Sequence, residues 1–324
     1  MAVSFPARVF SSSIRTYVFA AEVIRSLVRR IRLNAFYQRF HVLNRLAQKL
    51  EEPARPKLIV GIVHITSVEE HRDAKVAQTK VERLSATLDG LLQSFAHCSL
   101  TIKLITMPER HIYDYLPEHQ RACVEVQEET GCDPMFIGYR VHELFLRHQD
   151  EFDWFLFLED DIQIADPCML EKLEKLSALP GMEKAILMPN RFEMWQGVKR
   201  YIDLTPFKDI TWNKLSVVTV DGFKIAECSN PHAGLFCLSR RQMQAFAKSD
   251  RNWHGRDLYG GSRETAATFS LMEYFTLYKP HPENMYYFEV RHVDTKYSQL
   301  HPEPGAYCYS ARVAPSAGRP AMEP

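Results

Sequence analysis

From Lys57 onward, apolar and polar positions follow two periods that take turns along the chain. Lys57-Leu58-Ile59-Val60-Gly61-Ile62-Val63-His64 is a short β-rich apolar run and predicts a buried strand. Val76, Val81, Leu84, Leu88, Leu91, Leu92 and Phe95 then recur at helical spacing, and Leu100 to Ile105 predicts a second strand. Strand, helix and strand in close succession form a βαβ unit, with parallel strands and a right-handed crossover. Gly138 to His148 repeats the helical period, Phe152 to Leu158 forms a further apolar run, and Ala185-Ile186-Leu187-Met188 is another strand. Leu215 to Val220 alternates in part, as an antiparallel strand does. Beyond Asn230 come a short apolar run from Gly234 to Leu238, a helix near Arg240 to Lys248 and a second near Glu264 to Leu277. The pattern predicts an α/β fold: a mixed, mainly parallel sheet flanked by helices.

The flanks of this alternation behave differently. In residues 1–50, Tyr17, Val18, Phe19, Val23, Ile24, Leu27, Val28 and Ile31 are set among Arg15, Arg25, Arg29, Arg30 and Arg32, which predicts an N-terminal basic amphipathic helix. Its longest apolar run, Tyr17 to Ala21, is broken by Glu22 and falls far short of the about 20 residues needed to cross a bilayer. Three readings are open: a helix on an anionic membrane surface, a helix packed on the domain by its apolar stripe, and an Arg-rich transit peptide. Glu51-Glu52-Pro53-Ala54-Arg55-Pro56 reads as a linker (51–56), a catalytic domain is expected over 57–309, and the Ala-, Pro-, Gly- and Ser-rich stretch 310–324 as a disordered tail.

Charge and cysteine content add to this division. The formal net charge of the 324-residue chain is zero, yet residues 1–50 carry nine Arg or Lys against one acid, a net +8 that leaves 51–324 at −8. Basic charge confined to one segment, without interleaved aromatics, argues against a nucleic-acid partner. The seven cysteines are odd in number and none has CxxC spacing, so neither a zinc framework nor a disulfide scaffold is expected. A reducing compartment follows, hence a cytoplasmic protein, peripheral on a membrane if the basic helix docks there.

The chemistry concentrates where the run Asp153-Trp154-Phe155-Leu156-Phe157-Leu158 ends in Glu159-Asp160-Asp161. Three adjacent carboxylates repel one another, and the tip of a buried strand solvates them poorly, so a divalent cation is the expected compensation. In open α/β sheets, ligands bind at the carboxyl ends of strands, where these acids fall. Magnesium and manganese take few protein carboxylates and borrow oxygens from substrate phosphates. An acidic turn capping the next helix is the plain alternative, although Asp166-Pro167 supplies a cap by itself.

An apolar strand, Glu-Asp-Asp, an alternating pair and Asp-Pro before a helix resembles the DxD-type region of GT-A glycosyltransferases, in the Glu-Asp-Asp variant of N-acetylglucosaminyltransferase-like enzymes. The resemblance implies a Rossmann-like nucleotide-sugar domain, Asp161 as ligand to Mn²⁺ or Mg²⁺, and Glu159 and Asp160 facing the nucleoside. It also implies that the loop after the first strand holds the donor, with His64, Thr66, Arg72 and Lys75 near the diphosphate. Asn230 to Arg240 resembles the family's small-residue turn beside the donor sugar, with Gly234 allowing close backbone approach. Glu264, after Gly260-Gly261, resembles the base of inverting members. His292 resembles a late histidine in the metal shell, and Arg291 is placed to neutralise the leaving diphosphate. Read from the residues alone, Arg72 and Lys75 suit a solvated helix start, Glu264 a favourable helix N-terminus, and His292 a structural histidine.

The function expected is metal-dependent transfer of a sugar from a nucleoside-diphosphate sugar, of UDP or GDP type, to a hydroxyl of a glycan or glycolipid. A nucleotidyltransferase or other phosphoryl-transfer enzyme also needs strand-end acids, but the chain lacks GxxxxGK[ST]. A glycosidase is disfavoured, because adjacent acids on a strand point to opposite faces and flank one bond poorly. A non-catalytic carbohydrate-binding protein on the same fold stays open.

Overall fold

A computed structural model describes residues 54–202, 216–228, 232–249, 255, 261–300 and 309–310. The basic helix expected in residues 1–50, half of the expected linker and nearly all of the expected tail lie outside the described residues. The chain runs β1 (Lys57–Val63), α1 (Val68–Arg72), α2 (Ala74–Ser94), β2 (Ser99–Thr106), α3 (Glu118–Arg121), β3 (Val124–Glu128), α4 (Gly138–Arg147) and β4 (Trp154–Glu159). It continues through β5 (Ile162–Gln163), α5 (Met169–Ser177), β6 (Ala185–Leu187), β7 (Asn190–Trp195), β8 (Val198–Tyr201), β9 (Val217–Val220) and β10 (Phe223–Glu227). The last described elements are β11 (Leu235–Ser239), α6 (Arg240–Ala247), α7 (Ser262–Ala267), β12 (Thr276–Pro280), β13 (Glu289–His292), α8 (Lys296–Leu300) and β14 (Tyr309–Ser310).

The central sheet has the order β11-β4-β1-β2-β3. β1 pairs in parallel with β2 and β4, β2 in parallel with β3, and only β11 runs antiparallel, against β4. This is the mixed, mainly parallel sheet that the alternation predicts. Its two faces follow from the period of two along each strand. Leu58, Val60, Ile62, Leu156 and Leu158 pack with Leu84, Leu88 and Leu91 of α2 on one side. Ile59, Phe155 and Phe157 pack with Val141, Leu144 and Phe145 of α4 and Phe246 of α6 on the other. Phe155 to Leu158 are each at most 1% exposed. Burying such side chains stabilises by roughly 1.5–3 kcal/mol apiece, which anchors a strand whose tip carries like charges.

Two smaller sheets complete the unit, in the orders β6-β12-β10-β9 and β14-β8-β7-β13-β5. The alternation along the chain does not foresee them as separate sheets. The helix expected from Glu264 to Leu277 is also corrected. α7 ends at Ala267, because Thr268 leaves helical geometry at φ −153° and ψ −58°. A 3-10 turn spans Phe269–Glu273, and Leu277 sits in β12, paired in parallel with Ile186 of β6. Phe275 and Leu277 are two apart and both buried, a strand period that continues the helical spacing of the preceding residues by coincidence.

Candidate functional site

β4 delivers Glu159, Asp160 and Asp161 to the carboxyl end of the central sheet, and three hydrogen bonds fix this tip. The Glu159 N–H donates to the Gly234 carbonyl at 2.8 Å, and the Val293 N–H donates to the Asp161 carbonyl at 2.7 Å. Thr87 Oγ1 of α2 donates to the Asp160 carbonyl at 3.1 Å. Gly234 is required here: its φ is +64°, and a Cβ would come within 2.5 Å of Glu159 Oε2.

The tip opens into a cleft of about 370 Å³, which brings together Glu159, Asp160, Asp161, Glu264 and His292. His292, at the end of β13, is 6% exposed in its side chain and lies with Nε2 3.3 Å from Asp161 Oδ2. Its Nδ1–H donates to Glu193 Oε1 at 2.8 Å, and the Glu193 side chain is fully buried in β7. Burial lowers the imidazole's pKa, but the hydrogen bonds to Asp161 and Glu193 outweigh it and raise it to about 9. Burial would raise Asp161 too, yet the hydrogen bond and charge of His292, helped by Arg191 and Arg83, hold it below the usual carboxylate range. Glu159 lacks such a partner. Burial, then repulsion from Asp161, push it up to about 8 against the pull of Arg191.

Among the described residues, no three His, Cys, Asp or Glu side chains converge as a ready-made metal cage. The Asp161–His292 pair nevertheless suits a cation completed by other oxygens. Asp161 Oδ1 is buried with no hydrogen-bond partner among the described residues. The 3.3 Å between His292 Nε2 and Asp161 Oδ2 is near the roughly 3 Å that separates adjacent ligands of an octahedral ion with bonds of about 2.1 Å. Glu193 behind the imidazole supplies the carboxylate that metal-binding histidines commonly lean on.

The remaining expected residues divide. His64 is fully buried and does not line the cleft; its Nδ1–H donates to Asp160 Oδ2 at 2.5 Å, so it reaches the site through that acid. Thr66 is buried away from the cleft, because its backbone exchanges hydrogen bonds with Arg110 and Ser67 caps α1. Arg72 and Lys75 are likewise not brought to the site: Arg72 is exposed and pairs with Glu109 at 3.0 Å, and Lys75 is exposed in the first turn of α2. Gly234 lies buried beneath Glu159 rather than on the wall. Arg291 is exposed on the face of β13 opposite His292, and strand alternation gives the inward position to Arg191 of the neighbouring β7. Glu264 lines the cleft from α7, with Oε2 folded back over Gly261, whose φ is +126°.

Arg191, Glu193, Lys80, Arg83 and Tyr297 escape sequence reasoning. For Arg191 and Glu193 the one signal is the alternation Asn190-Arg191-Phe192-Glu193-Met194, in which the two share a face and both are buried. Arg83 of α2 pairs with Asp294 at 3.0 Å across the cleft, and the Arg191 guanidinium lies over the Tyr297 ring at 5.5 Å.

No family model and no curated protein matches this chain. Among solved structures, it is similar to a mannose-1-phosphate geranyltransferase from Thermus thermophilus, at 14% identity and TM-score 0.37 over 69% of this chain and 73% of that one. It is also similar to a protein described as a putative nucleotide-diphospho-sugar transferase from Desulfovibrio desulfuricans, at 13% identity and TM-score 0.32 over 68% of this chain and 78% of that one. Likeness at this level speaks to neither activity nor substrate.

Proposed function

We propose that this protein is a glycosyltransferase that moves a sugar from a nucleoside-diphosphate sugar to the hydroxyl of a glycan or glycolipid acceptor. The observation that carries the reading is the Asp161–His292 pair at the carboxyl end of the parallel sheet, in one cleft with Glu264. Asp161 and His292 hold Mn²⁺ or Mg²⁺, which when bound neutralises the charge of the leaving diphosphate. Asp160, oriented by His64, faces the nucleoside together with Glu159. Arg191 takes the part that sequence reasoning gave to Arg291, that of a cation beside the departing phosphates. Glu264 removes the proton of the acceptor hydroxyl, so that the acceptor oxygen forms the new bond to the anomeric carbon as the bond to the diphosphate breaks, with inversion. Residues 1–50, with their net +8, hold the protein against an anionic membrane where a lipid-borne acceptor would lie.

The test is a panel of UDP- and GDP-sugars with Mn²⁺ and mixed glycan and glycolipid acceptors, scored for free UDP or GDP and for glycosylated product. A parallel arm supplies nucleoside triphosphate and a sugar 1-phosphate and scores pyrophosphate. Release of nucleoside diphosphate that depends on acceptor, and that Glu264→Gln removes, supports the reading. Pyrophosphate in the second arm without product in the first replaces it with nucleotidyl transfer.

A further inference from the structure

We propose that Glu193 is a positioning residue that fixes His292 as a cation ligand and ties that role to the order of the cleft wall at 294–297. The inference rests on the reading of Asp161 and His292 as the cation site.

Glu193 stands in β7 with its side chain wholly out of water. A carboxylate there is unfavourable unless donors saturate it, and three do. Oε1 accepts from His292 Nδ1 at 2.8 Å and from the Tyr297 N–H at 3.2 Å. Oε2 accepts from the Ser298 N–H at 2.7 Å.

Because Glu193 takes the proton-bearing Nδ1, the other ring nitrogen of His292 is the one turned to Asp161. The same carboxylate holds the first turn of α8, and Asp294, Lys296 and Tyr297 beside that turn line the cleft. The far end of this wall is pinned to α2 by the Arg83–Asp294 pair, and the Tyr297 ring lies 5.4 Å from the imidazole. One buried acid thus serves both the imidazole and the wall. Movement of the wall away from the cleft pulls on the group that orients His292, and immobilising His292 holds the wall.

The experiment uses the full chain, Mn²⁺ alone, and four proteins: wild type, Glu193→Gln, Glu193→Ala and His292→Ala. Free Mn²⁺ is followed by electron paramagnetic resonance, and amide hydrogen exchange is read on peptides covering 293–300. Expected results are Mn²⁺ binding about 10- to 100-fold weaker in Glu193→Gln than in wild type, and slower exchange at 297–298 when Mn²⁺ is added to wild type but not to His292→Ala. Glu193→Gln keeps the side-chain volume, so the inference stays testable if Glu193→Ala fails to fold. Unchanged affinity in Glu193→Gln while His292→Ala loses binding overturns the role of Glu193 and leaves the cation site standing. Exchange at 297–298 that ignores Mn²⁺ in wild type overturns the coupling to the wall. No Mn²⁺ binding by wild type overturns the site and this inference together.

Discussion

Glu159 and Asp161 sit two residues apart at one strand tip, yet their acidities move in opposite directions. Burial acts on both. The difference is the imidazole 3.3 Å from Asp161, with Arg191 and Arg83 adding to it, whereas Glu159 faces the charge of Asp161 itself. Asp161→Asn removes the ion pair with His292 but also relieves the repulsion on Glu159, so the two effects on stability oppose. The melting temperature is expected to shift by no more than about 2 °C, the equivalent of about 1 kcal/mol for a chain of this size. Sugar transfer is expected to fall by roughly 10²- to 10³-fold or more, because charge stabilisation at the diphosphate is lost. Undiminished turnover would sink the assignment of Asp161. At this scale the acids and His292 were legible because their residue types are rare at apolar strand ends. Arg191 and Glu193 were not, since a polar residue every second position reads as a solvated strand face, and only the pairing of β7 with β13 turns that face inward. The same alternation explains why Arg291 looked as eligible as its neighbour His292.

Helix α2 and the strand after the acids meet at Gly90, where a Cβ would lie 2.5 Å from the Ile164 carbonyl oxygen. Ser94 Oγ donates to that same oxygen at 3.1 Å, and Thr87 two turns earlier holds the Asp160 carbonyl, so the helix is the mould of the acidic tip. Gly90→Ala sets two effects against each other. Helix propensity favours Ala by about 1 kcal/mol, and overpacking against a backbone atom disfavours it by about 1–3 kcal/mol. The clash should win, giving an earlier midpoint in urea denaturation, and turnover should drop with it because the tip moves. A stabilised variant of full activity would show that the helix sits further off. β1, β2, β4 and β11 of the central sheet were readable as predominantly apolar runs, whereas the edge strand β3, Val-Glu-Val-Gln-Glu, was not, because its alternate positions are polar and only Val124 is buried. The region after Ala267 was not readable either, because Leu271, Phe275 and Leu277 combine spacings of four and two, and only pairing with β6 settles that Leu277 is in a strand.

At the scale of the whole molecule, the charge division between residues 1–50 and the rest, +8 against −8, sets the expectation for membrane contact. Basic residues near an anionic surface contribute about 1 kcal/mol each, and the acidic remainder is repelled by it. Deleting residues 1–50 should therefore abolish co-sedimentation with phosphatidylserine-containing vesicles and leave any weak association with neutral ones unchanged. Equal sedimentation of both forms on anionic vesicles would reject that segment as the anchor. Among the described residues, no helix is long and apolar enough to cross a membrane. The cleft itself is assembled from widely separated parts of the chain: His64 and Asp160 are 96 residues apart, and Glu193 and His292 are 99. Such contacts close large loops and form late in folding. A refolding chain should regain its far-ultraviolet circular dichroism before it regains Mn²⁺ binding, and simultaneous recovery would argue otherwise. On a ribosome, the acids of β4 emerge long before the histidine that completes them, so a nascent chain carries an unbalanced acidic strand end until β13 has been synthesised.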